Sequence, residues 1–307
     1  MEILRMITVG WRDLMDNKSD PRVANWPLMS SPFPTIAMCL SYVFIVKFLG
    51  PKVMENRKPF KLRKIIVLYN FLQVVLSFYL FFEAGMSGWF GKYNLRCQPV
   101  DFSMNSDALR MANGSYLYYL SKFSEFLDTF FFVLRKRYDQ VSTLHVIHHG
   151  IMPFSVWWGV KFMPGGHSTF FGFLNTFVHI VMYTYYMIAA IGPEMQKYLW
   201  WKKYLTILQM IQFVGIMVHA FQLFFSNPCN YPMSFAYWIG GHGVLFYFLF
   251  NNFYKQAYMA KKKKKVEDIN GNVIKIQNQT ILTQDKYNSK NEHEQREIEQ
   301  NNLRNRL

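Results

Sequence analysis

Long apolar stretches are the feature that most limits how this chain can fold. Seven of them approach the roughly 20 residues that a membrane-spanning helix needs. They cover residues 28–48, 65–85, 116–134, 141–160, 169–191, 204–225 and 233–254. Inside a bilayer a single segment can satisfy its backbone hydrogen bonds only as a helix. The chain is therefore predicted to be an all-α membrane protein with seven transmembrane helices.

Composition separates these stretches from a polar tail. Of the 307 residues, 51% are hydrophobic, yet the mean hydropathy is only +0.00, because the tail is rich in Lys, Asn, Gln and Glu. Such a segment cannot bury enough apolar surface to offset the entropy of ordering, so we expect it to be disordered. The predicted organisation is an N-terminal segment at 1–27, a membrane domain at 28–260 and the tail at 261–307.

Basic residues set the predicted orientation. The net charge of +15 is spread over short runs between apolar stretches, which fits the positive-inside rule and excludes nucleic acid as a partner. The loops after the first, third and fifth stretches are rich in Lys and Arg, and the tail begins with lysines at 261–265. These loops and the C-terminus are predicted to be cytosolic and the N-terminus to lie across the membrane, although the segment before the first stretch carries Arg5, Arg12, Lys18 and Arg22.

Three residues with compartment-specific chemistry are predicted to lie on the non-cytosolic side of the membrane. Asn113 begins a glycosylation sequon in the predicted second loop. Cys97 lies in the same loop and Cys229 in the sixth. A non-cytosolic compartment is oxidising, so these two cysteines form either a disulfide or two free thiols.

Ionisable residues in the third and fourth stretches are the first candidates for function, because such groups are costly inside a membrane. On the third, Lys122 and Glu125 share one helical face with Thr129, and Asp128 lies at its margin. A Lys–Glu ion pair that only joins two helices is the alternative. On the fourth, offsets of three and four residues place three imidazoles on one stripe: His145, His148 and His149.

Two further spans carry polar stripes. On the fifth these are Asn175, His179, Met182, Tyr183 and Tyr186, and on the sixth Thr206, Gln209 and Gln212. Polar stripes on apolar helices face protein or water rather than lipid. One polar pocket open to the cytosol would explain all four groups. Isolated histidines have plainer interpretations: we expect His219 and His242 to bond to neighbouring helices, and His167 and His293 to have no special role.

A histidine cluster can bind a metal or act as acid, base and nucleophile. Histidine-box iron oxygenases use several repeated boxes, whereas this chain has one, so the metal-dependent alternative is the weaker. Neither Cys97 nor Cys229 is near the histidines, which leaves an imidazole as the best nucleophile. Its usual pKa of about 6.5 keeps it mostly neutral at cytosolic pH. A seven-helix receptor or a transporter is the non-enzymatic alternative.

The chain resembles the ELOVL-type elongases of very long chain fatty acids. The resemblance covers about residues 20–260 and rests on short motifs in the predicted spans. They are KxxExxDT at 122–129, HxxHH at 145–149, NxxxHxxMYxYY at 175–186 and TxxQxxQ at 206–212. Two positions beside the histidines depart from the usual pattern, with Thr143 in place of a frequent Phe and Ile147 in place of a frequent Tyr.

The resemblance implies a 3-ketoacyl-CoA synthase of the endoplasmic reticulum membrane, with its N-terminus lumenal. Its substrates would be long-chain acyl-CoA and malonyl-CoA, without a cofactor or metal. Spans two to seven would surround a substrate tunnel, and the outer surface of the protein would contact membrane lipid. The other elongation enzymes and a second copy of the chain would be further partners. The resemblance also implies a Cys97–Cys229 disulfide.

The resemblance assigns roles to the polar residues of the spans. His148 would accept the acyl group, with His179 across the tunnel from it and His145 and His149 supporting the site. The residues implied to bind or orient substrates are Lys122, Glu125, Asp128, Asn175, Tyr183, Tyr186, Gln209 and Gln212.

Overall fold

Helices make up the fold over the part of the chain that is described. The structure, a computed structural model, describes residues 1–259 apart from the side chains of residues 3 and 4, and that range contains no strand. The predicted tail at 261–307 lies outside the described residues. The helices are α1 Glu2–Arg12, α2 Phe33–Met54, α3 Arg63–Trp89, α4 Ser106–Ser124, α5 Phe126–Leu134, α6 Thr143–Phe162, α7 Thr169–Ile191, α8 Lys202–Phe221 and α9 Met233–Tyr254.

The chain divides into two units, Met1–Asn251 and a second that begins at Asn252, of which residues 252–259 are described. In the second, α9 ends at Tyr254 and is followed by a π-helical turn at Lys255–Met259. The candidate site and the surfaces described below belong to the first unit.

Several helices can cross a membrane, as the apolar stretches predict. Among the described residues, five are long and apolar enough: Phe33–Met54, Arg63–Trp89, Gly166–Ile191, Lys202–Phe224 and Met233–Met259. The predicted spans at 116–134 and 141–160 are also helical, but they carry the ionisable groups and histidines, which lower their apolar character. The all-α prediction is confirmed, and the chain is a multi-pass membrane protein.

The predicted start of the first span at residue 28 is wrong. Leu28 has a left-handed backbone with φ of 65°, and its carbonyl oxygen accepts a hydrogen bond of 2.8 Å from Trp157 Nε1. The helix begins only at Phe33, where Pro34 occupies its first turn. A proline is tolerated there because the first backbone N–H groups of a helix have no partner within it.

The third predicted span also differs in extent. Its helix begins ten residues earlier than expected, because the Asn105 side chain caps it by accepting a 2.8 Å hydrogen bond from the N–H of Ala108. The sequon at Asn113 therefore lies on the exposed surface of α4 and not in a loop, so its predicted placement is wrong. The span is also divided in two: α4 ends at Ser124 and α5 begins at Phe126.

Helices α3 and α7 pack antiparallel along most of their length and form one wall of the bundle. At one end Trp89 Nε1 donates to Thr169 Oγ1 over 3.0 Å. At the other end Gly192 has φ of 143°, and a Cβ there would overlap the guanidinium of Arg63. Only glycine combines this backbone conformation with so close an approach.

Residues 18–29, here called the strap, close the end of the bundle from which α2 begins. The strap packs into the main apolar core through Val23 and Met29, both fully buried. Its backbone is tied to α6 by a 2.9 Å hydrogen bond from the N–H of Asp20 to the carbonyl oxygen of Lys161. The ring of Trp26 lies 4.8 Å from that of Tyr116 on α4. The predicted N-terminal segment is thus part of the first unit.

A buried ion pair joins the strap to the loop after α3. The side chains of Arg22 and Asp20 are 3% and 0% exposed and lie 2.7 Å apart. Arg22 Nη1 also donates to the backbone carbonyls of Asp101 and Ser103, over 2.8 and 3.0 Å. The backbone N–H of Ser103 donates to the Asp101 carboxylate and holds the pKa of that carboxyl below its usual range. The same loop carries Cys97, which forms a disulfide with Cys229 in the structure.

The strap should depend on this ion pair for its stability. Arg22→Ala leaves the Asp20 carboxylate buried without its partner, which should cost about 3–5 kcal/mol. Arg137→Ala is the matched control, because Arg137 and Asp139 form a pair of the same spacing whose side chains are 50% and 64% exposed. Removing it should cost about 1 kcal/mol or less. Thermal unfolding of the purified variants measures both, and equal melting temperatures would contradict the role assigned to Arg22.

Candidate active site

A buried ion pair lies where α4 gives way to α5. Lys122 Nζ donates to Glu125 Oε1 over 2.6 Å, and the two side chains are 2% and 3% exposed. Lys122 also donates to Asn175 Oδ1 over 3.3 Å and lies 4.3 Å from the centre of the Tyr118 ring. The hydroxyl of Tyr118 donates to the same Asn175 oxygen over 2.7 Å. The amide oxygen of Asn175 is thus occupied, and its Nδ2 is left as the donor group.

The Glu125 carboxylate also faces two of the predicted histidines. His179 Nδ1 lies 3.4 Å from Oε1, and His149 Nδ1 lies 3.9 Å from Oε2. Glu125 Oε2 and His149 Nδ1 are buried and have no hydrogen-bond partner. The structure therefore brings the KxxE segment, the HxxHH segment and His179 together around one carboxylate.

Asp128 belongs to a neighbouring contact. Its Oδ2 accepts a hydrogen bond of 2.8 Å from the hydroxyl of Tyr183. The Tyr183 ring lies 5.6 Å from that of His179, one turn earlier on α7, and 6.2 Å from that of Tyr69. Asp128 therefore fixes the part of α7 that carries His179.

His145 is held by a short chain of hydroxyl groups. Its Nε2 and Thr129 Oγ1 share a hydrogen bond of 2.8 Å, and Thr129 Oγ1 shares another of 2.8 Å with the hydroxyl of Tyr42. The Tyr42 ring stacks on Phe126 at 4.2 Å. At the other side, the ring of His145 lies 4.3 Å from that of His149. His145 thus supports His149 and is itself positioned by α2 and α5.

His148 differs from the other two histidines of its motif because it lines a cavity. This apolar cavity lies among α6, α7, α8 and α9 and is also lined by Asn175 and Gln212. The edge of the His148 ring meets Phe246 of α9 at 4.7 Å. His148 Nδ1 and Gln212 Oε1 are buried and unpartnered. Of the four predicted catalytic histidines, His148 is the one that lines either of the cavities described here.

A second apolar cavity lies beside the first, among α3, α4, α6 and α7. The two cavities share four lining residues: Tyr118, Gly159, Ser168 and Phe171. The second cavity is also lined by Arg110, which is paired with Glu83 at 3.0 Å. The two apolar cavities are therefore neighbours, and of the two only the first is lined by His148.

Two predicted substrate-binding residues line neither cavity. Gln209 Nε2 donates to the sulfur of Met182 over 3.5 Å. Tyr186 is 38% exposed, and its ring lies 5.9 Å from that of Tyr183, the partner of Asp128. Both therefore contact residues of the polar stripe on α7 without bordering the cavity at His148.

Sequence reasoning missed the tyrosines that complete the site. Tyr118 and Tyr42 come from α4 and α2, and each forms a hydrogen bond to a predicted polar residue. Tyr118 precedes Lys122 by one helical turn, so its place on the same face was a usable signal. Tyr42 lies in an apolar stretch among other aromatic residues, and nothing in its spacing distinguishes it.

The expected bond of His242 to a neighbouring helix is not formed among the described residues. His242 Nδ1 donates to the carbonyl of Trp238 in the same helix over 2.7 Å, its Nε2 has no partner among them, and His242 lines the first cavity. His167 is buried, donates to the carbonyl of His219 over 2.7 Å and stacks on its ring at 3.8 Å. Within residues 1–259, no group of three or more His, Cys, Asp or Glu side chains is arranged to hold a metal ion.

Comparison with known proteins fits this arrangement. Residues 27–266 match the family model described as ELO: GNS1/SUR4 family. "Very long chain fatty acid elongase 7" of Drosophila melanogaster is 68% identical over 272 residues, which cover 89% of this chain and 83% of the relative. A protein of the same name from Rattus norvegicus is 50% identical, covering 86% and 95%. "Very long chain fatty acid elongase 1" of Homo sapiens is 46% identical, covering 80% and 88%. The chain belongs to the ELO (GNS1/SUR4) family.

Proposed function

We propose that this chain is the condensing enzyme of fatty acid elongation, a very-long-chain 3-oxoacyl-CoA synthase. It would join a long-chain acyl-CoA to malonyl-CoA and release 3-ketoacyl-CoA, CO2 and CoA. The names of its relatives support elongation. The observation that carries the chemical assignment is that His148 lines an apolar cavity together with Asn175 and Gln212.

The proposed reaction has two stages. The His148 imidazole attacks the thioester carbonyl, so that an acyl–nitrogen bond forms, the carbon–sulfur bond breaks and CoA leaves as the thiol. Malonyl-CoA then loses CO2, and its α-carbon attacks the acyl-imidazole. The new carbon–carbon bond replaces the bond to nitrogen, and the imidazole takes up one proton. In a one-step variant the imidazole acts only as a base.

The neighbouring residues would position substrates more than react with them. Lys122 is already paired with Glu125, so its charge serves to hold the amide of Asn175. Asn175 Nδ2 would then donate to a thioester oxygen and stabilise negative charge that develops there. His145, His149 and His179 would fix the surroundings of His148, and Asp128 with Tyr183 would fix α7.

The membrane arrangement is proposed on the same basis. With α4–α5 and α6 added to the five long apolar helices, the chain would have seven spans, and spans two to seven would surround a tunnel. The basic loops would face the cytosol, from which both CoA esters arrive, and the N-terminus would lie in the lumen of the endoplasmic reticulum. The other enzymes of the elongation cycle and a second copy of the chain are the proposed protein partners.

His148→Ala tests the chemical assignment. Loss of the nucleophile should lower incorporation of labelled malonyl-CoA into lipid by about 10³-fold or more. Incubation with acyl-CoA alone should leave an acyl adduct on the wild-type protein, detected by intact-protein mass spectrometry, and none on the variant. His242→Ala is the control, because His242 lines the same cavity and should keep the adduct.

The outcomes separate the two mechanisms. Activity retained by His148→Ala would overturn the assignment. A wild-type protein that is active but never carries an adduct would leave His148 as a base and exclude the covalent route.

Thr129→Val tests whether His145 positions the site. The substitution removes the hydroxyl that joins Tyr42 to His145, so the imidazole loses its fixed orientation. We expect kcat to fall about 10–100-fold, as is typical when a catalytic group is slightly misplaced. Thr129→Ser retains the hydroxyl and should restore most of the rate. Equal rates for the Val and Ser variants would show that the hydrogen bonds do not matter.

Gly159→Leu tests the use of the second cavity. Gly159 lines both cavities, and a Cβ at this position meets no atom within 4 Å. A leucine should keep an acyl chain from entering the second cavity and lower kcat/KM about tenfold or more for long acyl-CoA substrates. Shorter acyl chains, which would end in the first cavity, should keep their rate. Gly241→Leu is the control: its Cβ also meets nothing within 4 Å, but it lies on the exposed side of α9. An unchanged product distribution in Gly159→Leu would contradict this path.

A further inference from the structure

Helix α1 has two faces of different character. Met6, Ile7, Gly10 and Trp11 recur at spacings of three and four residues and therefore lie on one side. The apolar side chains among them are exposed. The opposite side carries Arg5 and Arg12 together with Val9.

The apolar face continues into the surface of a membrane-spanning helix. The ring of Trp11 lies 5.9 Å from the ring of Phe33, which is the first residue of the long apolar helix α2. Phe33 is itself exposed, as expected of a side chain that faces lipid. The contact places the C-terminal end of α1 at the level where α2 enters the membrane.

The rest of the molecule fixes this position. Met15, one turn after α1, is buried in the same core as the strap residues Val23 and Met29. The hydroxyl of Ser19 donates to the carbonyl oxygen of Met15 over 2.7 Å. Since the strap is held by the Asp20–Arg22 ion pair and by α6, α1 is attached to the body at the membrane boundary.

The charges around α1 indicate which surface it fits. Up to the start of the strap, the segment has three acidic residues and three basic ones: Glu2, Asp13, Asp16, Arg5, Arg12 and Lys18. With these charges balanced, attraction to anionic lipid contributes little, and apolar burial is left as the main driving force. The segment precedes residues 27–266, which match the family model.

We propose that α1 lies in the surface of the bilayer at the N-terminal end of α2, with Ile7 and Trp11 buried among lipid chains. Its apolar face is covered by the lipids of a zwitterionic bilayer. Arg5 and Arg12 remain at the headgroup level, where their long side chains reach water. A helix of eleven residues binds lipid weakly alone, but here its attachment to the bundle holds it at the boundary.

Two neighbouring positions test this placement with matched probes. Ile7 and Val9 are similar in size and are 63% and 59% exposed, yet they point in directions that differ by about 200° around the helix. Each is replaced by cysteine and spin-labelled in the full-length chain with Cys39→Ala. Cys97 and Cys229 are joined in a disulfide, and the chain has three cysteines in all, so the label is confined to the new thiol. The protein is reconstituted in phosphatidylcholine vesicles, and collisions with oxygen and with a water-soluble nickel chelate are measured.

The result expected is a label at 7 that meets oxygen more often than the nickel chelate, at a depth of about 5–10 Å below the headgroup boundary. The label at 9 should show the opposite preference. Equal access of the nickel chelate to both labels would mean that α1 lies in water and would overturn the proposal. Low access of both reagents at 7 would also overturn it, because the face would then be covered by protein, such as a second copy of the chain. Elongation activity of both labelled proteins verifies that they are folded.

Discussion

The candidate site depends on the buried ion pair between Lys122 and Glu125. Moving two charges out of water costs several kcal/mol for each, and their attraction offsets this only when further hydrogen bonds satisfy them. Here Lys122 also bonds to Asn175 and lies over the Tyr118 ring, and His179 approaches the Glu125 carboxylate. These partners come from α4 and α7, so the pair fixes how two helices face each other. The ion pair thus positions the polar groups of the site. In turn, the hydrogen bonds and contacts of these groups make burial of the ion pair possible.

The break in the third predicted span follows directly after the ion pair. The backbone N–H of Glu125 still bonds to the carbonyl of Ser121 over 3.2 Å, as in a regular helix, and the chain tightens only after it, where Asp128 N bonds to the carbonyl of Glu125 over 3.2 Å. Helix interruptions in membrane proteins are tolerated where they are buried in protein or line a cavity. No glycine or proline marks this one, so its position follows from tertiary contacts and could not be predicted from the sequence.

The positions of most helices could be predicted from the sequence, whereas several helix ends and helix α1 could not. Apolar length located the helices because burial of backbone groups in lipid leaves few alternatives. Helix ends that depend on single interactions were not predicted. The Asn105 cap extends α4 towards its N-terminus, so that Asn113 lies on a helix. The hydrogen bond from Trp157 holds Leu28 outside a helix, and α2 begins only after it. Helix α1 could not be predicted from a continuous apolar run, because its apolar residues are spaced by three and four. The polar clusters were predicted as a set, but the sequence did not indicate that Gln209 and Tyr186 line neither cavity.

The three histidines on one stripe show the limit of a periodicity argument most clearly. Residues at i, i+3 and i+4 share a face, but that face has two edges. At one edge His145 and His149 lie 4.3 Å apart and turn towards Thr129 and Glu125, which belong to the third predicted span. At the other edge His148 meets Phe246 and the cavity. The same spacing therefore yields two imidazoles fixed by protein groups and one open to a ligand. This division fits a reaction with a single nucleophile better than a metal centre, in which all three rings would have to converge on one point.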